Sequence, residues 1–198
     1  MESKVKLRIF CTGVGGQGTL LATRILGEAA LLAGYSAQVS ETHGMAQRGG
    51  VVESTVILGD LASPIISLGE ADIVLGFEIL ETFRSLNRCH PGTLVVTNTA
   101  TVLPYPVAIG KATYPPVDRM LELLAQQVGR LIALDGVALA QQAGSALAVN
   151  MVILGALAAS RRLPFPEGTV TAAIRTQTPA KHLDANLRAF ALGQEAAG

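Results

Sequence analysis

The chain has 198 residues, with 15 Lys and Arg against 15 Asp and Glu, so its formal net charge is zero. That length suffices for one domain with a sizeable core. The absence of a basic run, the 4% aromatic content and the lack of tryptophan exclude nucleic acid as an expected partner. Only 15% of residues are charged against 49% apolar; a large buried core in an α/β fold would account for this, and a surface partly covered by a partner is the reading we favour. The longest apolar run, 146–159, is interrupted by Asn150 and falls short of the roughly 20 residues that a bilayer span requires. The charged start, Met1 to Phe10, has no signal-peptide apolar core. The expectation is a soluble cytoplasmic protein with no membrane partner.

Val5 to Thr12 is an apolar stretch that predicts a buried first strand, and Thr19 to Ala33 predicts a helix. Between them lies Gly13-Val14-Gly15-Gly16-Gln17-Gly18. Gly13, Gly15 and Gly18 satisfy G-x-G-x-x-G in the strand–turn–helix setting that gives the motif its meaning. Such glycines permit a tight turn and close backbone approach, and the helix N-terminus behind them offers free N–H groups to an anion. Gly16-Gln17 adds a fourth glycine and an amide with both a donor and an acceptor. A dinucleotide site would also require an acid about twenty positions on, where Glu41 stands. The bland alternative is a turn that packs helix on strand.

Tyr35 to Ser40 is read as a second strand, followed by Glu41-Thr42-His43-Gly44-Met45-Ala46-Gln47-Arg48-Gly49-Gly50. In a parallel sheet this loop and the glycine loop share the carboxyl edge, where ligands bind, so the two should be neighbours. Arg48 suits a carboxylate or phosphate, and His43 suits proton transfer or hydrogen-bond donation. The alternative is a solvated surface loop.

Further along, strands are expected at Val51–Leu58, Asp72–Gly76, Thr93–Thr97 and Leu131–Leu134. Helices are expected at Glu78–Asn87, with Ile79, Leu80, Phe83 and Leu86 on one face, and at Asp118–Gln127. Pro104, Pro106, Pro115 and Pro116 make 103–116 irregular. Asp135 is placed to cap the next helix. Three helices, near 137–143, 147–160 and 180–192, are expected to close the chain. The second should be buried on all sides, with Ala148, Val152, Gly155 and Ala159 forming a small stripe and Asn150 requiring a partner. Alternating strands and helices predict an α/β fold: a Rossmann-like three-layer sandwich with a mostly parallel sheet, formed as a single domain over 1–198.

His43, His90 and His182 have no metal-ligand spacing, so no metal site is expected. Cys11 and Cys89 are isolated and cannot supply the four thiolates of an iron–sulfur cluster.

The two glycine-rich motifs, followed late in the chain by Asn150-Met151-Val152-Ile153-Leu154-Gly155-Ala156-Leu157, resemble the gamma-type domain of 2-oxoacid:ferredoxin oxidoreductases over nearly the whole length. The His-Gly-Met-Ala-Gln-Arg-Gly-Gly form is most similar to the indolepyruvate branch. The resemblance implies oxidative decarboxylation of an aryl pyruvate with coenzyme A, two electrons passing to ferredoxin. It implies a large alpha subunit carrying thiamine diphosphate, magnesium and 4Fe-4S clusters, and a small subunit that is inactive alone. Gly13, Gly15, Gly16, Gln17 and Gly18 match the family's first loop, and Glu41, His43, Gly44, Gln47, Arg48, Gly49 and Gly50 its second. We expect these residues to face the alpha subunit and coenzyme A, with Arg48 and His43 in supporting catalytic roles. The isolated chain is expected to self-associate as a homodimer. Two other readings stay open: an autonomous dinucleotide-binding oxidoreductase, and a non-catalytic scaffold with the same fold.

Overall fold

A computed structural model describes residues 5–43, 50–60 and 63–198. Its six-stranded sheet is built from β1 (Leu7–Val14), β2 (Ala37–His43), β3 (Val51–Leu58), β4 (Ile73–Gly76), β5 (Leu94–Asn98) and β6 (Arg130–Leu134). The order across the sheet is β2-β3-β1-β4-β5-β6. β1, β4, β5 and β6 pair in parallel, whereas β3 lies antiparallel between β2 and β1. The mostly parallel α/β expectation is therefore met, with β3 inserted in the opposite direction.

Alternate residues of β1 serve opposite faces, as the two-residue period of a strand requires. Leu7, Ile9 and Cys11 join the large cluster beneath α1 (Thr19–Leu32), while Phe10 joins Ile57, Ile66, Val74 and Val95 on the other face. A strand covered on both sides reads as the continuous apolar run seen in the sequence. On that second face, α2 (Ile79–Arg84) and α4 (Val117–Gln127) meet through Ile79, Leu80, Met120 and Leu124. The short helix α3 (Tyr105–Ala108) interrupts the proline-rich stretch.

The C-terminal helices are α5 (Gly136–Gln142), α6 (Val149–Ala159), α7 (Thr169–Gln177) and α8 (Ala180–Ala197). Every residue from Val149 to Leu157 is buried, as expected for a helix apolar on all faces. Its small stripe has a specific use. A Cβ on Gly155 would lie 2.0 Å from the Phe190 carbonyl oxygen, and one on Gly193 would lie 2.0 Å from that of Val152. The two helices thus touch backbone to backbone.

Helix α7 is absent from the sequence reading. Its signal was the spacing of Val170, Ala173 and Ile174, which are buried, but its β-branched residues have low helix propensity. Packing of α7 on α1 overrides that preference. Strand β1 also extends two residues past the expected end, so Gly13 and Val14 belong to the sheet and the turn proper is Gly15–Gly18. No helix among the described residues is long and apolar enough to cross a membrane.

Candidate functional site at the carboxyl edge of the sheet

The ends of β1, β2, β4 and β5 and the start of β3 lie along one edge. There Val14 pairs with Val51, and His43 pairs with Val52. The Gly15 amide donates to the Gly50 carbonyl across 2.9 Å, joining the turn to the close of the second loop. The expected adjacency is present at the described ends of the second motif, His43 and Gly50. Glu41 and His43 lie on β2, with Glu41 exposed. Gly44, Gln47, Arg48 and Gly49 fall outside the described residues.

The turn is held from inside. Gln17 Oε1 accepts from the Val14 amide at 2.8 Å, and Gln17 Nε2 donates to the Phe77 carbonyl at 3.0 Å. Each end of the amide makes one bond within the chain, so Gln17 braces the turn. The same Phe77 carbonyl accepts from Asn98 Nδ2 at 3.0 Å. Asn98 Oδ1 in turn accepts from the Gly136 amide at 3.0 Å and the Ala100 amide at 3.3 Å. One buried asparagine thus ties the ends of β4 and β5 to the start of α5. Gly13 is needed because a Cβ there would sit 2.9 Å from Phe77 Cβ and 2.8 Å from Gln17 Oε1.

Gly16 and Gly18 adopt φ of 101° and 77°, values that favour glycine. A side chain on Gly18 would also strike Asn150 Nδ2 at 2.5 Å. Asn150, 3% exposed, donates to the Gly18 carbonyl at 3.2 Å. That bond answers the partner question raised by the sequence and fixes α6 against the turn. Helix α1 has Gly18 at its N-cap, with no side-chain cap and no acid in its first turn. The buried Thr19 Oγ1 has no hydrogen-bond partner among the described residues. Together these leave an electropositive helix end at the edge.

Beside the turn, Glu78 is 1% exposed. Its Oε2 accepts from the Glu81 amide at 2.9 Å, capping α2, and its Oε1 accepts from the Val102 amide at 3.2 Å and from the Tyr114 hydroxyl. Burial and the nearby Glu78 carboxylate push the Tyr114 phenol well above its ordinary range. Burial also raises the Glu81 carboxyl, against the Arg84 guanidinium 2.7 Å away. The sequence reading placed Glu78 only at the head of a helix. Its available signal was polarity directly after a fully apolar strand at the ligand-bearing edge.

Asp135 Oδ1 accepts from the Ala138 amide at 2.9 Å, the capping role expected of it. Cys11 is fully buried, and burial drives its thiol far above the range of a nucleophile. Among the described residues, no group of three His, Cys, Asp or Glu could hold a metal. A cavity of about 630 Å³ opens elsewhere, between the C-terminal ends of α6 and α8 and the start of α7, lined by Arg161, Phe165, Gly168 and Phe190. No residue of the glycine turn borders it.

This α/β fold is shared with solved oxoacid:ferredoxin oxidoreductase gamma subunits. The chain superposes on the gamma subunit of a keto/oxoacid ferredoxin oxidoreductase from Geobacter sulfurreducens with a TM-score of 0.71 and 24% identity, covering 96% of this chain and 98% of that one. It also matches 31% of the chain of a 2-oxoglutarate:ferredoxin oxidoreductase from Magnetococcus marinus, solved with 2-oxoglutarate, coenzyme A and succinyl-CoA bound (TM-score 0.74, 22% identity, 98% of this chain). The chain belongs to the pyruvate ferredoxin/flavodoxin oxidoreductase family, whose model matches residues 8–196. It is 42% identical over 191 residues to the indolepyruvate oxidoreductase subunit IorB of Thermococcus kodakarensis, covering 96% of this chain and 95% of that protein.

Proposed function

We propose that this chain is the small subunit of an indolepyruvate:ferredoxin oxidoreductase, a single gamma-type domain working in the cytoplasm beside a large alpha subunit. The reaction is oxidative decarboxylation of an aryl pyruvate with coenzyme A to an aryl-acyl-coenzyme A and carbon dioxide, with two electrons passing to ferredoxin. Full-length similarity to a protein named as an indolepyruvate oxidoreductase subunit carries this reading. Thiamine diphosphate, with magnesium, supplies the carbanion chemistry in the alpha subunit, and 4Fe-4S clusters there carry the electrons. With two cysteines, one fully buried, this chain lacks the thiolates for a cluster of its own.

In this reading the carboxyl edge is the chain's working face. The uncapped start of α1 and the Gly15–Gly18 turn favour an anionic group, and the pyrophosphate of coenzyme A has that chemistry. Arg48 supplies a cation from the adjoining loop, and His43 and Glu41 stand where that loop leaves β2. Exposed Leu147 (82%) and Tyr105 (76%) support a covered surface in the assembled enzyme. Without its partner the chain is inactive and self-associates as a dimer.

The test is anaerobic co-purification of the tagged chain from its host, with dye reduction on indolepyruvate plus coenzyme A. Recovery of a large subunit bearing thiamine and clusters, with activity, is the expected result. Recovery of the chain alone, binding a dinucleotide, overturns the assignment.

A further inference from the structure

The buried carboxylate of Glu78 holds two points of one exposed segment. From the end of β5 into the first turn of α4, no residue from 99 to 119 is buried. The backbone hydrogen bonds of residues 107–112 close on Pro104, Tyr105, Pro106 and Val107, inside the segment itself. Near its start, Val102 donates its amide to Glu78 Oε1 at 3.2 Å; near its end, Tyr114 donates its hydroxyl to the same oxygen. The stretch between them is a strap clasped at both ends by one atom.

The residue before Glu78 joins this clasp to the candidate site. The Phe77 carbonyl accepts from Gln17 in the glycine turn and from Asn98 at the root of the strap. Phe77-Glu78 is thus a junction, with the turn braced on one residue and the strap on the next. Thr99 also donates to the Leu134 carbonyl, and Tyr114 packs on Ile79 and Leu80; with few buried contacts between these anchors, the two bonds to Glu78 add the polar hold on both ends of the strap.

We propose that Glu78 is a positioning residue, which clasps the strap 102–114 to the carboxyl edge and so keeps that edge shaped to receive coenzyme A. The proposal rests on the assignment of the carboxyl edge made above. A loosened strap lowers the fraction of molecules competent to bind and raises the apparent dissociation constant in proportion, while bound molecules react as before. A residue serving stability alone would instead reduce the amount of active enzyme and leave KM unchanged.

The experiment uses the assembled enzyme with Tyr114→Phe, which deletes one hydroxyl, and Glu78→Gln, which weakens the clasp at its centre. The expected result is a rise of about three- to tenfold in KM for coenzyme A, with kcat per assembled complex within about twofold of wild type. Trypsin cleavage after Lys111, inside the strap, should also accelerate. Arg48→Ala is measured in parallel, because it tests the edge itself. If Arg48→Ala impairs turnover while Tyr114→Phe and Glu78→Gln leave KM unchanged, the clasp is overturned and the edge assignment stands. If all three variants behave as wild type, the edge assignment fails and the clasp fails with it.

Discussion

The Gly15 amide and the Gly50 carbonyl, 2.9 Å apart, join the glycine turn to the residue at which the second motif ends. Gly15 follows the last residue of β1, and Gly50 precedes the first residue of β3. The bond extends the β1–β3 ladder by one step past Val14 and Val51. The glycine turn before α1 therefore lies beside the start of β3, where the second motif closes.

Arg48→Ala should leave the complex assembled and weaken it for an anionic ligand. A charge-assisted hydrogen bond contributes about 1.5–3 kcal/mol, so KM for coenzyme A or the 2-oxoacid should rise about ten- to a hundredfold. Steady-state kinetics on the purified complex decide it, and unchanged kinetics remove Arg48 from the site.

Gln17 and Asn98 share the Phe77 carbonyl as acceptor. Replacing either by alanine should cost about 1–3 kcal/mol, through lost bonds and unsatisfied polar groups. The two effects should not add, since each variant leaves the carbonyl one remaining donor. A double-mutant cycle by urea unfolding should give a coupling of about 0.5 kcal/mol or more; strict additivity would show that the carbonyl does not link them.

Gly155→Ala pushes a methyl into the backbone of α8, where the nearest atom, the Phe190 carbonyl oxygen, is only 2.0 Å away. Overpacking of this kind costs about 1–3 kcal/mol, which lowers Tm by roughly 2–4 °C per kcal/mol at this chain length. Gly193→Ala meets the Val152 carbonyl in the same interface, and once one methyl has spread the helices the second should cost less. Calorimetry on the three variants tests both statements.

Glu81, 4% exposed, has its carboxyl raised by burial, with Arg84 opposing and Glu78 reinforcing the shift. The folded group therefore holds its proton more tightly than the unfolded one, which titrates near 4.3. Its contribution to stability is fully present below the unfolded pKa and is lost as pH rises through the folded pKa. Glu81→Gln stays neutral throughout and should be more stable than wild type at about pH 7, the gap closing near about pH 4. Urea midpoints across that range test the sign, and a gap independent of pH would contradict it.

The glycine turn was legible because its residues are constrained locally: Gly16 and Gly18 need positive φ whatever surrounds them. The adjacency of the two loops was legible as well, since strand ends at a carboxyl edge converge. The direction of β3 was not. Val51–Leu58 has the same apolar content either way, and only its place between β2 and β1 shows that it runs back. Helix α7 was missed for a related reason, its β-branched residues being held helical by contact with α1. The bracing bonds of Gln17 to Val14 and Phe77 were not legible either, because Phe77 lies sixty residues away in the chain.

The α/β class, the turn, the edge where the two motifs meet, the burial of α6 and the family resemblance are all readable from the order of residues along the chain. Each follows from local backbone limits, from the periodicity of apolar residues or from a motif that survives in order along the chain. Only the tertiary structure decided that Asn150 holds Gly18, that Gly155 and Gly193 let two helices touch, and that Glu78 clasps both ends of one strap. These are contacts between residues far apart in the chain, formed when the sheet brings distant backbone atoms within hydrogen-bond or van der Waals range, and no local pattern encodes such distances.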